Sequence, residues 1–205
     1  MAVAVSGVIY LALPDAFTVG PNLLMPIAIA AVLLPLTFVS RYRDEGEARW
    51  LRFTAIGLIA MLAAINVMSL GLLIDGLLGG NLLVESHPTG LPLLRGALII
   101  WVENVITFGL LFWELDRGGP HRRAGASPGE PDFLFPQMDV VSVAPPGWMP
   151  RFFDYLYSSF TNATAFSPTD TMPLTSRAKL LMMVQSFASL VIIVLVTARA
   201  VNILG

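Results

Sequence analysis

The chain has 205 residues, of which 56% are hydrophobic and only 13% charged, with a formal net charge of −2 and no cysteine. Soluble domains carry about 25% charged residues, so roughly half that share points to a membrane protein, and the near-neutral balance excludes a basic nucleic-acid surface. The missing cysteines exclude disulfides and thiolate metal sites. The two histidines, His87 and His121, each sit beside Pro or Gly in predicted loops and read as solvated side chains, so neither a metal site nor a cofactor is expected.

Five apolar stretches follow one another. Met1 to Leu13 lacks the positive n-region and cleavage site of a signal peptide and is read as a first, short or tilted, membrane pass. The connector Pro14 to Pro21, bounded by prolines, predicts a tight helical hairpin into the second pass, Leu23 to Val39. Leu51 to Leu73, Leu91 to Trp113 and Leu180 to Leu204 each reach the ~20 residues that a bilayer crossing needs. Backbone groups in lipid must pair internally, and no period-two alternation suggests a barrel, so these segments are read as helices.

Charges between the spans orient the bundle. Arg41, Arg43, Arg49 and Arg52 cluster before the third span, and Arg117, Arg122, Arg123 and Arg151 follow the fourth, while the connector Asp75 to Leu91 carries no Lys or Arg. Both basic loops are therefore assigned to the cytoplasm, with the N-terminus inside and the C-terminus outside. The fold class expected is all-α: an integral membrane helical bundle of about five transmembrane helices, multi-pass in the cell membrane, with a C-terminal re-entrant half helix before the last span. Three regions are expected: a four-span N-terminal bundle (1–113), a Pro/Gly-rich cytoplasmic loop (114–150) and a terminal helix–loop–helix element (151–205). Within the loop, Asp132-Phe133-Leu134-Phe135-Pro136-Gln137-Met138 is too apolar for a free linker and is expected to pack on the bundle's cytoplasmic face or on a neighbouring subunit.

Polar residues inside spans single out candidates. In the third span Gly57, Ala60, Ala63, Ala64 and Gly71 have the small-residue spacing of close helix packing, and Asn66 and Ser69 can add an interhelical hydrogen bond. In the fourth, Gly96, Glu103, Thr107 and Glu114 form one helical stripe. A mid-bilayer carboxylate costs at least a few kcal/mol, so Glu103 is expected to face the bundle interior, a partner or water. Its two readings are an ion or proton relay, and a buried pair or protonated acid bonded to a neighbouring helix; Arg95 and Arg199 are the candidate partners by depth.

Arg151 to Ala165 would be about 22 Å long as a helix, too short and too polar to span. Phe152, Phe153, Leu156 and Phe160 lie on one face of it, and Thr161, Asn162 and Thr164 stand near its end. Pro168 and Pro173 prevent helix continuation until Thr175 or Ser176, either of which can cap the last helix. Arg177 and Lys179 occupy that helix's first turn, where its dipole disfavours cations.

From Thr161 to about Asn202 the chain resembles the pore-helix, filter and inner-helix unit of tetrameric potassium-type channels. Ala163-Thr164-Ala165 matches the end of the pore helix, and Asp170 followed by Pro173 matches the filter-end Asp and Pro without a gap. The run Phe160 to Leu174, with Trp113-Glu114-Leu115-Asp116-Arg117-Gly118-Gly119-Pro120 and Pro131 to Gln137, also resembles a family of bacterial membrane proteins of unassigned function. The channel filter reads Thr-Val-Gly-Tyr-Gly, and the matching positions here are Ala165, Phe166, Ser167, Pro168 and Thr169, with both glycines gone. A carbonyl-lined filter needs the backbone freedom of glycine, so any pathway here would use side chains: the hydroxyls of Thr164, Ser167 and Thr169, a ring of Asp170 in a homo-oligomer, and Glu103 within the bundle.

The function expected is a channel-like membrane protein with a non-standard, glycine-free pore loop forming a weakly selective pathway, with the lipid bilayer and monovalent ions as partners and no nucleic acid. The alternative is a non-conducting membrane protein that uses the same element for packing or interaction. The chain is not expected to be an enzyme: an intramembrane activity on Glu103 and Asp170 would lack a nucleophile with an adjacent base or metal set.

Overall fold

The computed structural model describes residues 2–13, 18, 45–78, 91–123, 129–139, 147–165 and 170–204. Among them the chain forms α1 (Ala2–Tyr10), α2 (Glu45–Leu78), α3 (Leu91–Leu115), a 3₁₀ turn (Asp116–Gly118), α4 (Pro120–Arg123), β1 (Phe133–Leu134), α5 (Pro136–Asp139), α6 (Phe152–Ala165), β2 (Met172–Pro173) and α7 (Ser176–Leu204). Among the described residues the regular structure is helical apart from the two-residue ladder of β1 and β2, which run antiparallel with Phe133 opposite Pro173 and Leu134 opposite Met172.

Among the described residues, three helices are long and apolar enough to cross a membrane: Arg52–Gly76, Leu91–Gly118 and Ser176–Ala198. They coincide with the third, fourth and fifth expected spans. The first expected span is shorter in the structure, because α1 has 9 residues, about 14 Å against a hydrocarbon core of about 30 Å. The second expected span, Leu23 to Val39, lies outside the described residues.

The chain divides into two compact units, Met1–Thr107 with Ala188–Gly205, and Phe108–Phe187. The core of the first unit joins Tyr10 at the end of α1 and Leu13 just after it, Leu62, Leu70 and Leu73 on α2, Leu93, Ala97 and Ile100 on α3, and Ala188 and Ile192 on α7. Two side-chain amides cross between helices within it. Asn66 donates to the Ile100 carbonyl at 3.0 Å, and Asn104 donates to the Ser189 hydroxyl at 2.8 Å. The α2 glycines do not mark a close crossing: a Cβ at Gly57 or Gly71 would meet nothing within 4 Å. The expected close-packing role is therefore not seen at these two glycines among the described residues, and amides carry the polar contacts.

In the second unit, Phe108 and Phe112 of α3 pack with Phe133, Phe135, Tyr155, Ala178 and Met182. Close backbone approach occurs here instead, at Gly109, where an added Cβ would stand 3.2 Å from the Leu156 Cα. At the end of α3 the chain reverses through three consecutive positive φ angles, Arg117 (53°), Gly118 (81°) and Gly119 (95°). The glycines adopt these angles freely, whereas an L side chain at Arg117 costs roughly 1–2 kcal/mol. The segment Asp132 to Met138 is not a free linker: Phe133 and Phe135 are buried in this unit's aromatic core, against Phe112 of α3 and Tyr155 of α6.

Candidate functional site: a half-length helix with a buried polar seam

The terminal element begins at Arg151, whose backbone N–H donates to the Asp154 carboxylate at 2.7 Å, three residues on. This is the reciprocal half of a helix N-terminal box, and it satisfies one donor that the first turn would leave open. From there α6 runs for 14 residues and ends before the Pro168 region.

The polarity of α6 is inverted relative to a surface helix of a soluble protein. Its buried residues are Tyr155, Ser158, Ser159, Asn162 and Ala163. Its outer face presents Phe153, 73% exposed, with Tyr157, Phe160 and Thr164, a stripe at helical spacing. Sequence spacing placed Phe153 and Phe160 on an apolar face correctly, but that face points away from the chain's own core.

The inner face is a hydrogen-bonded seam against α7. The Asn162 amide donates to the Met182 carbonyl at 3.0 Å and to Gln185 Oε1 at 2.8 Å. The Gln185 amide in turn donates to the Ser159 carbonyl at 2.9 Å and to the Ser159 hydroxyl at 2.6 Å. The Ser186 hydroxyl closes the chain on Asn162 Oδ1 at 3.1 Å. Both amide groups have both N–H bonds and the carbonyl engaged, which makes a buried polar network stabilising rather than costly. Nearer the start of α6, the Ser158 and Thr171 hydroxyls meet at 3.0 Å.

Two buried aspartates hold the connecting segments. Asp132, 1% exposed, forms a two-point ion pair with Arg177 and accepts the Thr175 hydroxyl. Thr175 is also the N-cap of α7, its Oγ1 receiving the Ala178 N–H at 3.3 Å. The cation in the first turn of α7 is thus explained by a carboxylate that outweighs the helix dipole. Asp116 is fully buried. Its Oδ1 accepts the backbone N–H groups of Asp132 (2.7 Å) and Phe133 (3.3 Å), and its Oδ2 accepts the Tyr155 hydroxyl at 2.6 Å. The buried Arg123 stands 3.8 Å from the same oxygen, donates to the Trp113 and Asp116 carbonyls at 3.1 Å each, and lies 5.0 Å over the Tyr155 ring. Burial, and then the Asp116 carboxylate, push the Tyr155 phenol above its ordinary range.

Of the residues singled out by sequence, Thr164 lies exposed in the last turn of α6, its hydroxyl bonded back to the Phe160 carbonyl at 2.8 Å. Asp170 is exposed just before β2. Ser167 and Thr169 lie outside the described residues. Glu103 belongs to the first unit, where it is 7% exposed on a buried stripe with Gly96 and Thr107, while Glu114, also buried, belongs to the second. Sequence reasoning missed the tie of Asp116 to Tyr155 and that of Asp132 to Arg177. The signal for both aspartates was their placement inside the two motifs around Asp116 and Asp132. Comparison with protein families, with curated proteins and with solved structures returned no match.

Proposed function

We propose that this is a channel-like integral membrane protein in the cell membrane, of about five spans, in which α6, the 166–169 connection and α7 form a re-entrant pore-loop unit of a homo-oligomer. The observation that carries this reading is the inverted polarity of α6. A helix that buries serines and an asparagine while presenting Phe153, Tyr157 and Phe160 outward is stable where the surroundings are apolar. At 14 residues, about 21 Å, α6 is too short to cross such surroundings and must turn back within them. The resemblance to the pore unit of potassium-type channels runs over this same element. In a closed ring of subunits, Thr164, Ser167, Thr169 and Asp170 would line a weakly selective pathway for monovalent ions, built from side chains because the filter glycines are absent. The basic loops put the entry of this element on the cytoplasmic side.

A second reading, a non-conducting protein that uses the element for packing, is favoured by the way its polar groups are taken up. Asn162, Gln185 and Ser159 bond one another, and the Thr164 hydroxyl turns onto its own helix. Flux through liposomes carrying the purified protein separates the two. Monovalent-ion flux that changes selectivity in Asp170→Asn supports the pathway. Absence of flux under every ionic condition, in a preparation of defined oligomeric state, leaves the packing module.

A further inference from the structure

Asp170 stands one peptide before a stretch that is tied down at each of positions 171–175. Thr171, 5% exposed, meets the Ser158 hydroxyl of α6 at 3.0 Å. Met172 and Pro173 pair with Leu134 and Phe133 of β1. The Leu174 backbone N–H donates to the Asp132 carbonyl at 2.8 Å, and Thr175 and Arg177 donate to the Asp132 carboxylate. All but the first of these ties come from residues 132–134. That segment is mounted in turn on the chain just after α3, where Asp116 Oδ1 accepts the N–H groups of Asp132 and Phe133.

We propose that Asp132 is a positioning residue for Asp170: by holding the stretch 171–177 through both its carbonyl and its carboxylate, it fixes where the exposed Asp170 side chain is presented. The Arg177 pair is the strong member of the set. Hydrogen bonds between ionised partners are about twice as strong as neutral ones, and a two-point pair fixes direction as well as distance. A functional carboxylate is only as well placed as the groups that hold its backbone. The role rests on the pathway reading of Asp170 and deepens it: selectivity at that carboxylate depends on a segment of the loop after α4, and not on α6 and α7 alone.

The test is amide hydrogen exchange together with monovalent-ion flux, on the full chain in liposomes. Asp132→Asn removes the charge at the buried partner, keeps the backbone carbonyl, and leaves the Arg177 side chain, 56% exposed, to water. Arg177→Gln removes the charge at the other partner. Each should speed exchange of the Leu174 amide about tenfold and that of the α6 amides 155–163 far less. Each should also move ion selectivity in the direction in which Asp170→Asn moves it. Lys179→Gln, which removes the other exposed cation of the same helical turn, should do neither. Parent-like exchange at Leu174 in both pair variants overturns the proposal, as does equal acceleration throughout α6 or the same response in Lys179→Gln. Flux whose selectivity responds to Asp170→Asn but to neither pair variant overturns it too, with the pathway intact. Absence of flux in every preparation, with faster exchange at Leu174, is the opposite result: the pathway reading fails and the hold of Asp132 on this stretch stands.

Discussion

Asp132 and Arg177, 45 positions apart, meet through two hydrogen bonds although the carboxylate is 1% exposed and the arginine side chain 56% exposed. The pair joins the segment after α4 to the first turn of α7, and Thr175 adds a third donor to the same carboxylate. Arg177→Ala leaves a buried carboxylate with one side-chain donor. It should lower stability by about 1–3 kcal/mol, the range for hydrogen bonds to charged groups. Arg177→Lys should recover only part, since an ammonium cannot reproduce the two-point geometry. Thermal melting in detergent decides it: an Arg177→Ala melt indistinguishable from the parent would show that the pair contributes nothing.

Much of the second unit's logic was not readable in advance, and the reason is physical. The long spans announce themselves through length and hydropathy, and the proline-bounded limits of α6 follow from backbone chemistry. Asn66 stood out because an amide in lipid needs a partner. The tie between Asp116 and Tyr155 leaves no such trace. The two residues are 39 positions apart, share no period, and look in sequence like a loop acid and an aromatic of a short helix. The burial of Arg123 was hidden likewise. In sequence it reads as one of the arginines of a cytoplasmic loop, yet its guanidinium is taken up by the Trp113 and Asp116 carbonyls.

The Tyr155–Asp116 bond gives stability a pH dependence of known sign. A phenol held protonated in the folded state, with its pKa raised from 10.0, contributes fully below the unfolded value. Above it the unfolded chain releases a proton that the folded chain retains, so stability falls as pH rises from about 10. The slope approaches 1.4 kcal/mol per pH unit for one proton. Stability measured between pH 9 and 11 should therefore decline more steeply for the parent than for Tyr155→Phe, which lacks the ionisable group. Parallel curves would show that the folded state does not hold that proton.

The seam between α6 and α7 should behave as one coupled unit. Asn162→Leu strands the Gln185 carbonyl, and Gln185→Leu strands Asn162 and Ser159, whereas the double leucine variant removes both amides together. Single substitutions should each cost about 1–2 kcal/mol, and the double should cost less than their sum by about 1 kcal/mol or more. Additive losses in the cycle would indicate that the two amides act independently.

The proposed re-entrant placement of α6 makes a prediction that needs no assumption about conduction. Because the chain contains no cysteine, each introduced thiol is the only one, and its surroundings can be read directly. Phe153→Cys and Phe160→Cys lie on the outer stripe of α6 and Asp170→Cys at the exposed position before β2. If the stripe faces acyl chains, the first two should resist a membrane-impermeant maleimide in proteoliposomes and quench strongly when they carry a fluorophore opposed by lipid-chain quenchers. Asp170→Cys, at the polar end, should label from water, since a thiol must ionise to react and does so poorly in apolar surroundings. Labelling in sealed, oriented vesicles also fixes the side. Reaction of Asp170→Cys from the face that carries the Arg122 loop agrees with the positive-inside assignment, and reaction from the opposite face reverses it. Aqueous labelling of Phe153→Cys and Phe160→Cys at the rate of Asp170→Cys would place α6 on the membrane surface and remove the re-entrant unit on which the pathway depends.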